Sequence, residues 1–240
     1  MLAAVLFDLD GTLLDIDINS FLDDYFGALG PVVALVLEEG VDPSFGLNAV
    51  LAGTSAMVEP HPGLTNQVVF NRHFRSLTGA DLDLEKFAMP FERFYAEVFP
   101  TLRKAIGPRD GARDVVQTAL DLGLKVAIAT NPIFPLSAIR ERMRWAGVDD
   151  LAVDLVTSYE NMKATKPLPT YFTQTASLLG VEKADCLMVG DDRGLDMGAA
   201  DVGMRTFYCG AAPIPACDYH GDLLALAALL PRLAEPRDVI

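Results

Sequence analysis

Positive charge is scarce in this chain. Its 19 Lys and Arg stand against 33 Asp and Glu, a formal net charge of -14. A nucleic-acid surface needs a basic face, so no nucleic-acid partner is expected. The acidic surplus suits a soluble, well-dispersed protein. It also means that any anionic substrate needs a local cation to collect it. Cysteine is equally sparse. Cys186, Cys209 and Cys217 are odd in number and not in metal-ligand spacing. They give no disulfide framework, and a reducing, cytoplasmic location is expected. Cys186 falls in an apolar strand-like run and reads as plain core. Long hydrophobic runs are missing too. Pro31 to Leu37 and Leu223 to Leu230 are the longest, far short of a membrane span. Met1 leads into an apolar strand without a charged leader or cleavage site, so no membrane association is expected. There is no internal repeat and no low-complexity tract.

What the chain does have is a rhythm of strands and helices. Its 240 residues suffice for one domain with an insertion, or for two small domains. Short apolar runs predict strands at Ala3–Phe7, Lys125–Ala129, Asp154–Val156 and Cys186–Val189, with a fifth at Thr206–Cys209. Between them lie helical patterns at Ala112–Leu122, Pro135–Trp145, Thr170–Leu179 and Asp192–Val202, each stopped by a glycine. Such alternation predicts an α/β fold with a doubly wound, Rossmann-like parallel sheet. One segment breaks the rhythm. It lacks strand signals and predicts helices at Ser20–Glu39, Phe45–Val58, Thr65–Leu77 and Leu84–Phe99. The expected organisation is an α/β core of residues 1–14 and 106–240, with residues 15–105 as an inserted helical cap. A helical insertion directly after the first strand would act as a lid.

Polar groups suited to one job follow four of these strands. Asp8 and Asp10 sit in Asp8-Leu9-Asp10-Gly11-Thr12; Thr130-Asn131 follow the second strand. Lys166-Pro167 come a little after the third, and Gly190-Asp191-Asp192, with Asp196 beyond, follow the fourth. In α/β sheets ligands bind at the carboxyl ends of the strands. Taken in order, the four loops resemble the signature of the haloacid dehalogenase-like hydrolases: DxDGT, a strand-end Thr, a Lys, and GDxxxxD. The resemblance spans roughly residues 1–14 and 106–210, and the long insertion resembles that family's helical cap between its first two motifs.

The resemblance implies a mechanism. Asp8 matches the nucleophile that forms an aspartyl-phosphate. Asp10 matches the general acid and base. An anion attacking an anion needs cations: two unit charges ~4 Å apart repel by about 4 kcal/mol at an effective dielectric of ~20. Mg²⁺, held by Asp8, Asp191 and the backbone carbonyl of Asp10, would supply part of that charge. Lys166, the Thr130 hydroxyl and the Asn131 N–H would hold the phosphoryl oxygens. Asp196 would orient the metal ligands; Asp192 competes for that place, with a plain helix cap as its alternative role. The family's dehalogenases lack an acid at the Asp10 position, so Asp10 points to phosphate esters.

The expected enzyme is a Mg²⁺-dependent phosphatase acting on a small phosphorylated metabolite. The alternatives are a sugar phosphomutase, which would use the same two acids, and a degenerate regulatory or partner-binding module. The cap offers few cations. Arg72 and Arg75 share a helical face that reads as solvated, and His61, His73 and Lys86 are scattered. Met57, Met89, Phe91, Phe94 and Tyr95 read as helix-packing residues.

Overall fold

The computed structural model describes residues 1–37, 42–214 and 217–235. Along the chain run β1 (Ala4–Phe7), β2 (Leu14–Asp15), α1 (Ile18–Ala34), α2 (Pro43–Val58), α3 (Asn66–Thr78), α4 (Glu85–Arg93) and β3 (Gly107–Pro108). There follow α5 (Ala112–Asp121), β4 (Lys125–Ile128), α6 (Leu136–Trp145), β5 (Leu155–Val156), α7 (Pro169–Leu179), β6 (Cys186–Gly190), β7 (Arg205–Tyr208), β8 (Tyr219–His220) and α8 (Leu223–Ala234).

All four side chains of β1 are buried, as a strand covered on both faces requires. Alternation divides them. Val5 and Phe7 enter the core shared with the inserted helices and α5, α6 and α8, whereas Ala4 and Leu6 enter the core against α7. The sheet runs β5-β4-β1-β6-β7-β8, every pair parallel. The chain leaves β1 for β4 and β5 on one side, then crosses to β6 on the other. That reversal opens a crevice at the carboxyl end of β1.

Side-chain caps start three of the inserted helices, α1, α2 and α3, whereas α4 begins at Leu84 without one. The Asp17 carboxylate accepts from the N–H groups of Asn19 and Ser20, Asp42 from Ser44, and Thr65 from Val68. Gly79, at φ +75°, ends α3 in the left-handed region. Aromatic packing seats these helices on α6 and its approach loop. Phe99 stacks on Trp145 at 5.5 Å, and Tyr25 meets Phe134 edge-on at 5.4 Å. The fully buried Asn66 donates from Nδ2 to the Pro132 carbonyl at 2.9 Å, and its N–H donates to Met162 O at 2.8 Å. The start of α3 is thus fastened to the loops that follow β4 and β5.

Several elements differ from the sequence reading. The stretch expected as a helix from Asp192 is a turn followed by a 3₁₀ segment, Met197–Val202. Asp192 Oδ1 accepts from the Gly194 and Leu195 N–H groups, which commits the first turn to a side-chain bond. Leu84–Phe99 is α4 followed by a π turn, Phe94–Val98, and a 3₁₀ turn, Phe99–Leu102. The first long helix ends at Ala34, and Glu39 lies outside the described residues. The β2–β3 pair, β8 and α8 were not expected: two-residue strands carry no period, and α8 is apolar enough to mask its own. Among the described residues no helix is long and apolar enough to cross a membrane.

Candidate active site

The carboxyl ends of β1, β4 and β6 enclose a cavity of about 340 Å³. Asp8, Asp10, Thr130, Asn131, Lys166, Asp191, Asp192 and Asp196 all line it. Asp8 continues β1, its N–H donating to the Val189 carbonyl at 2.9 Å. Beyond it the chain coils tightly, with the Leu9 carbonyl accepting from the N–H groups of Thr12, Leu13 and Leu14. Gly11 makes that coil possible. Its φ is +84°, and a Cβ there would lie 2.7 Å from Asp191 Oδ1.

Lys166 is the electrostatic centre. It is 1% exposed, and its Nζ donates to Asp8 Oδ1 at 2.7 Å and to Asp196 Oδ1 at 2.6 Å. Burial disfavours the ammonium, but Asp196 and Asp8 outweigh it, and the Lys166 pKa stands above the ordinary lysine value. Asp196 Oδ2 accepts from the Asp192 N–H at 3.0 Å, so both its oxygens are engaged. Burial pushes its carboxyl up, and the Lys166 ammonium opposes that push. Asn131 Oδ1 accepts from the Lys166 N–H at 3.1 Å, tying the second loop to the third. The Thr130 carbonyl accepts from Thr157 Oγ1 at 2.8 Å and from the Tyr171 hydroxyl at 3.0 Å.

Asp8, Asp191 and Asp196 can each offer one oxygen with all three within 4.8 Å of one another. Lys166 serves two of them. Among the described residues the Asp191 side chain accepts from the Thr12 hydroxyl alone, 3.0 Å away, and its carboxyl is pushed up by burial and by the charge of Asp8. Crowded carboxylates with one unneutralised member fit a hard divalent cation. Asp10 is expected to contribute its backbone carbonyl rather than its side chain; that side chain pairs with Arg142, and the close carboxylate trio is Asp8, Asp191 and Asp196.

What draws Asp10 aside is Arg142, whose guanidinium pairs with Asp10 Oδ2. Arg142 is 1% exposed and lies over the Phe134 ring, 4.6 Å from its centroid. Its Nε and Nη2, and Asp10 Oδ1, are buried without a partner. Burial pushes the Asp10 carboxyl up, and Arg142 moderates the rise. Neither Arg142 nor Thr12 was singled out from sequence. Arg142 had a signal: it lies three residues after Ile139 and one before Met143, on the apolar face of its helix. The cap cations take no part. Arg75 pairs with Asp81 at 2.7 Å, Arg72 is exposed, His61 in the loop after α2 bonds to the Met57 carbonyl, and His73 bonds to the Val69 carbonyl of its own helix.

The comparisons agree with this geometry. The family model for haloacid dehalogenase-like hydrolases matches residues 2–201. The Phosphatase MT3486 of Mycobacterium tuberculosis (strain CDC 1551 / Oshkosh) is 29% identical over 237 residues, covering 95% of this chain and 97% of that protein. The phosphoglycolate phosphatase of Neisseria gonorrhoeae (strain ATCC 700825 / FA 1090) is 27% identical over 195 residues, covering 79% of this chain and 72% of its own. In fold, the chain is similar to a HAD phosphatase from Thermococcus onnurineus, with a TM-score of 0.57, 24% identity, and coverage of 96% of this chain and 98% of that one. The chain belongs to the haloacid dehalogenase-like hydrolases, as a phosphoric monoester hydrolase.

Proposed function

We propose that this protein is a Mg²⁺-dependent phosphatase that hydrolyses an organic phosphate monoester through an aspartyl-phosphate on Asp8. The observation that carries the reading is Lys166 Nζ bridging Asp8 and Asp196 beside Asp191 in a single cavity. One oxygen of Asp8 attacks phosphorus, and the bond from phosphorus to the ester oxygen breaks. Asp10 delivers a proton to the departing alkoxide, giving the alcohol. It then takes a proton from the water that attacks the acyl phosphate, which releases inorganic phosphate and restores Asp8. Arg142 occupies Oδ2 of Asp10, so Oδ1 is the oxygen left to carry that proton. Lys166, the Thr130 hydroxyl and the Asn131 N–H hold the transferring oxygens. Asp8, Asp191 and the Asp10 carbonyl would hold Mg²⁺, with Asp196 and Asp192 as supports; the ion supplies charge against the approach of two anions.

The test is phosphate release from an aryl phosphate, with and without Mg²⁺, by wild type and Asp8→Asn. Mg²⁺-dependent turnover confined to wild type is expected. Equal turnover by the two proteins would reject the mechanism.

A further inference from the structure

Beside the catalytic cavity lies a second and larger one, of about 480 Å³, walled by the inserted helices. The two adjoin, because Leu22, Ile133 and Phe134 line both. Its wall is aromatic and aliphatic, with Phe26, Phe70, Phe91 and Tyr95 prominent. Among the described residues no Lys, Arg or His lines it. Several of its polar groups are engaged by the protein itself, while Gln67, Glu92 and Ser137 also lie in its wall. The Tyr25 and Tyr95 hydroxyls share a hydrogen bond of 2.8 Å, and Asn71 Nδ2 donates to Asp83 at 2.8 Å. Thr54 donates to the Val50 carbonyl at 3.0 Å, and Glu160 accepts from the Leu136 N–H at 3.0 Å. A second phosphate would meet the carboxylates of Glu92 and Glu160 and no cation, so its desolvation would go uncompensated, whereas a hydrocarbon would pack on the aromatic and aliphatic wall.

We infer that the alcohol portion of the substrate is an apolar, uncharged group, a fused aromatic or branched hydrocarbon, seated in this cap cavity while its phosphate lies against Asp8. The inference rests on the phosphatase reading above for its reaction, and on the cavity alone for its substrate class. It narrows the small metabolite expected from sequence to an ester larger than one ring, since the volume matches pockets that enclose drug-sized ligands. Hydrolysis converts that ester and water into the free alcohol and inorganic phosphate. The bond broken is the one from phosphorus to the alcohol oxygen.

The experiment compares kcat/KM for 2-naphthyl phosphate, geranyl phosphate, phenyl phosphate, glucose 6-phosphate and 2-phosphoglycolate. A second arm measures equilibrium binding of 2-naphthol to the unreacted protein. The naphthyl and geranyl esters are expected to exceed phenyl phosphate by about tenfold, and the two hydrophilic esters by about a hundredfold or more. Ala88→Trp, which projects an indole into the cavity from α4, is expected to cut the naphthyl-to-phenyl ratio at least tenfold and to weaken 2-naphthol binding. Hydrolysis of all five esters at similar efficiency would overturn the substrate class while leaving the phosphatase intact. Binding of 2-naphthol that Ala88→Trp weakens, with no ester hydrolysed, would uphold the apolar site and reject the reaction. Failure of 2-naphthol to bind would overturn the inference outright.

Discussion

Replacing Lys166 with Met removes the cation from the catalytic cluster while keeping the length of its stem. At 2.7 Å, the Asp8 contact alone has a gross Coulomb energy of about 6 kcal/mol at an effective dielectric of ~20. The Asp196 contact, at 2.6 Å, is similar. Burial of the charges cancels most of that gain, so the net effect is what a truncation strands. Asp196 is 1% exposed and Asp8 8%, and both would face one another without a counter-charge. Breaking a buried pair on one side costs about 3–5 kcal/mol. For a chain of this length that corresponds to a Tm lower by about 6–20 °C. Differential scanning calorimetry with EDTA present reads the stability, and phosphate release at saturating Mg²⁺ reads the catalysis. Added Mg²⁺ should raise the Tm of Lys166→Met more than that of wild type, because the variant's carboxylates lack their other cation. Turnover should fall at least about a hundredfold, as when a preorganised donor is removed from a transition-state site. A Tm within about 2 °C of wild type, equivalent to less than about 1 kcal/mol, would refute the central place given to Lys166.

Arg142→Met should cost less stability, about 1–3 kcal/mol, because the side chain of Asp10 keeps 19% of its exposure and water can reach it. Turnover should drop at least about tenfold, and Arg142→Lys should not restore it, since an ammonium cannot both stack on Phe134 and present a planar fork; unchanged kcat in Arg142→Met would contradict the role. Gly11→Ala combines a strained φ with a Cβ placed on the Asp191 carboxylate, so Mg²⁺ affinity, read by calorimetric titration, should weaken at least about tenfold. Burial pushes the Cys186 thiol up to about 11. At a pH near 8 it should resist a thiol reagent in the folded protein and react on denaturation, whereas rapid native reaction would place it outside the core.

Much of the site was legible because its chemistry sits at strand ends. The run Ala4–Phe7 and the pair Asp8 and Asp10 state a buried strand and its rim in a few residues. The remaining loops repeat that grammar at Thr130, Lys166 and Asp191. The helical insertion was legible because it lacks strand signals; its caps, Asp17, Asp42 and Thr65, emerge only in the structure. What stayed hidden depends on tertiary approach. Arg142 reaches Asp10 across 132 positions of chain, and only its misplaced charge on an apolar helical face hinted at it. The cavity in the cap was hidden for a related reason. Phe91 and Tyr95 read as packing residues, and periodicity cannot tell a side chain that fills a core from one that lines a void. The turn at Asp192 was lost because a local side-chain bond overrode a helical pattern.

The proposed reaction passes through a covalent bond between phosphorus and Asp8. Rapid quench of the protein during turnover of an aryl phosphate, followed by peptide mass spectrometry, detects that bond directly. One phosphoryl group is expected on the peptide that carries Asp8, labile to hydroxylamine and absent from Asp8→Asn. Steady phosphate release with no such adduct, or with the phosphoryl group on another residue, would contradict the proposed reaction.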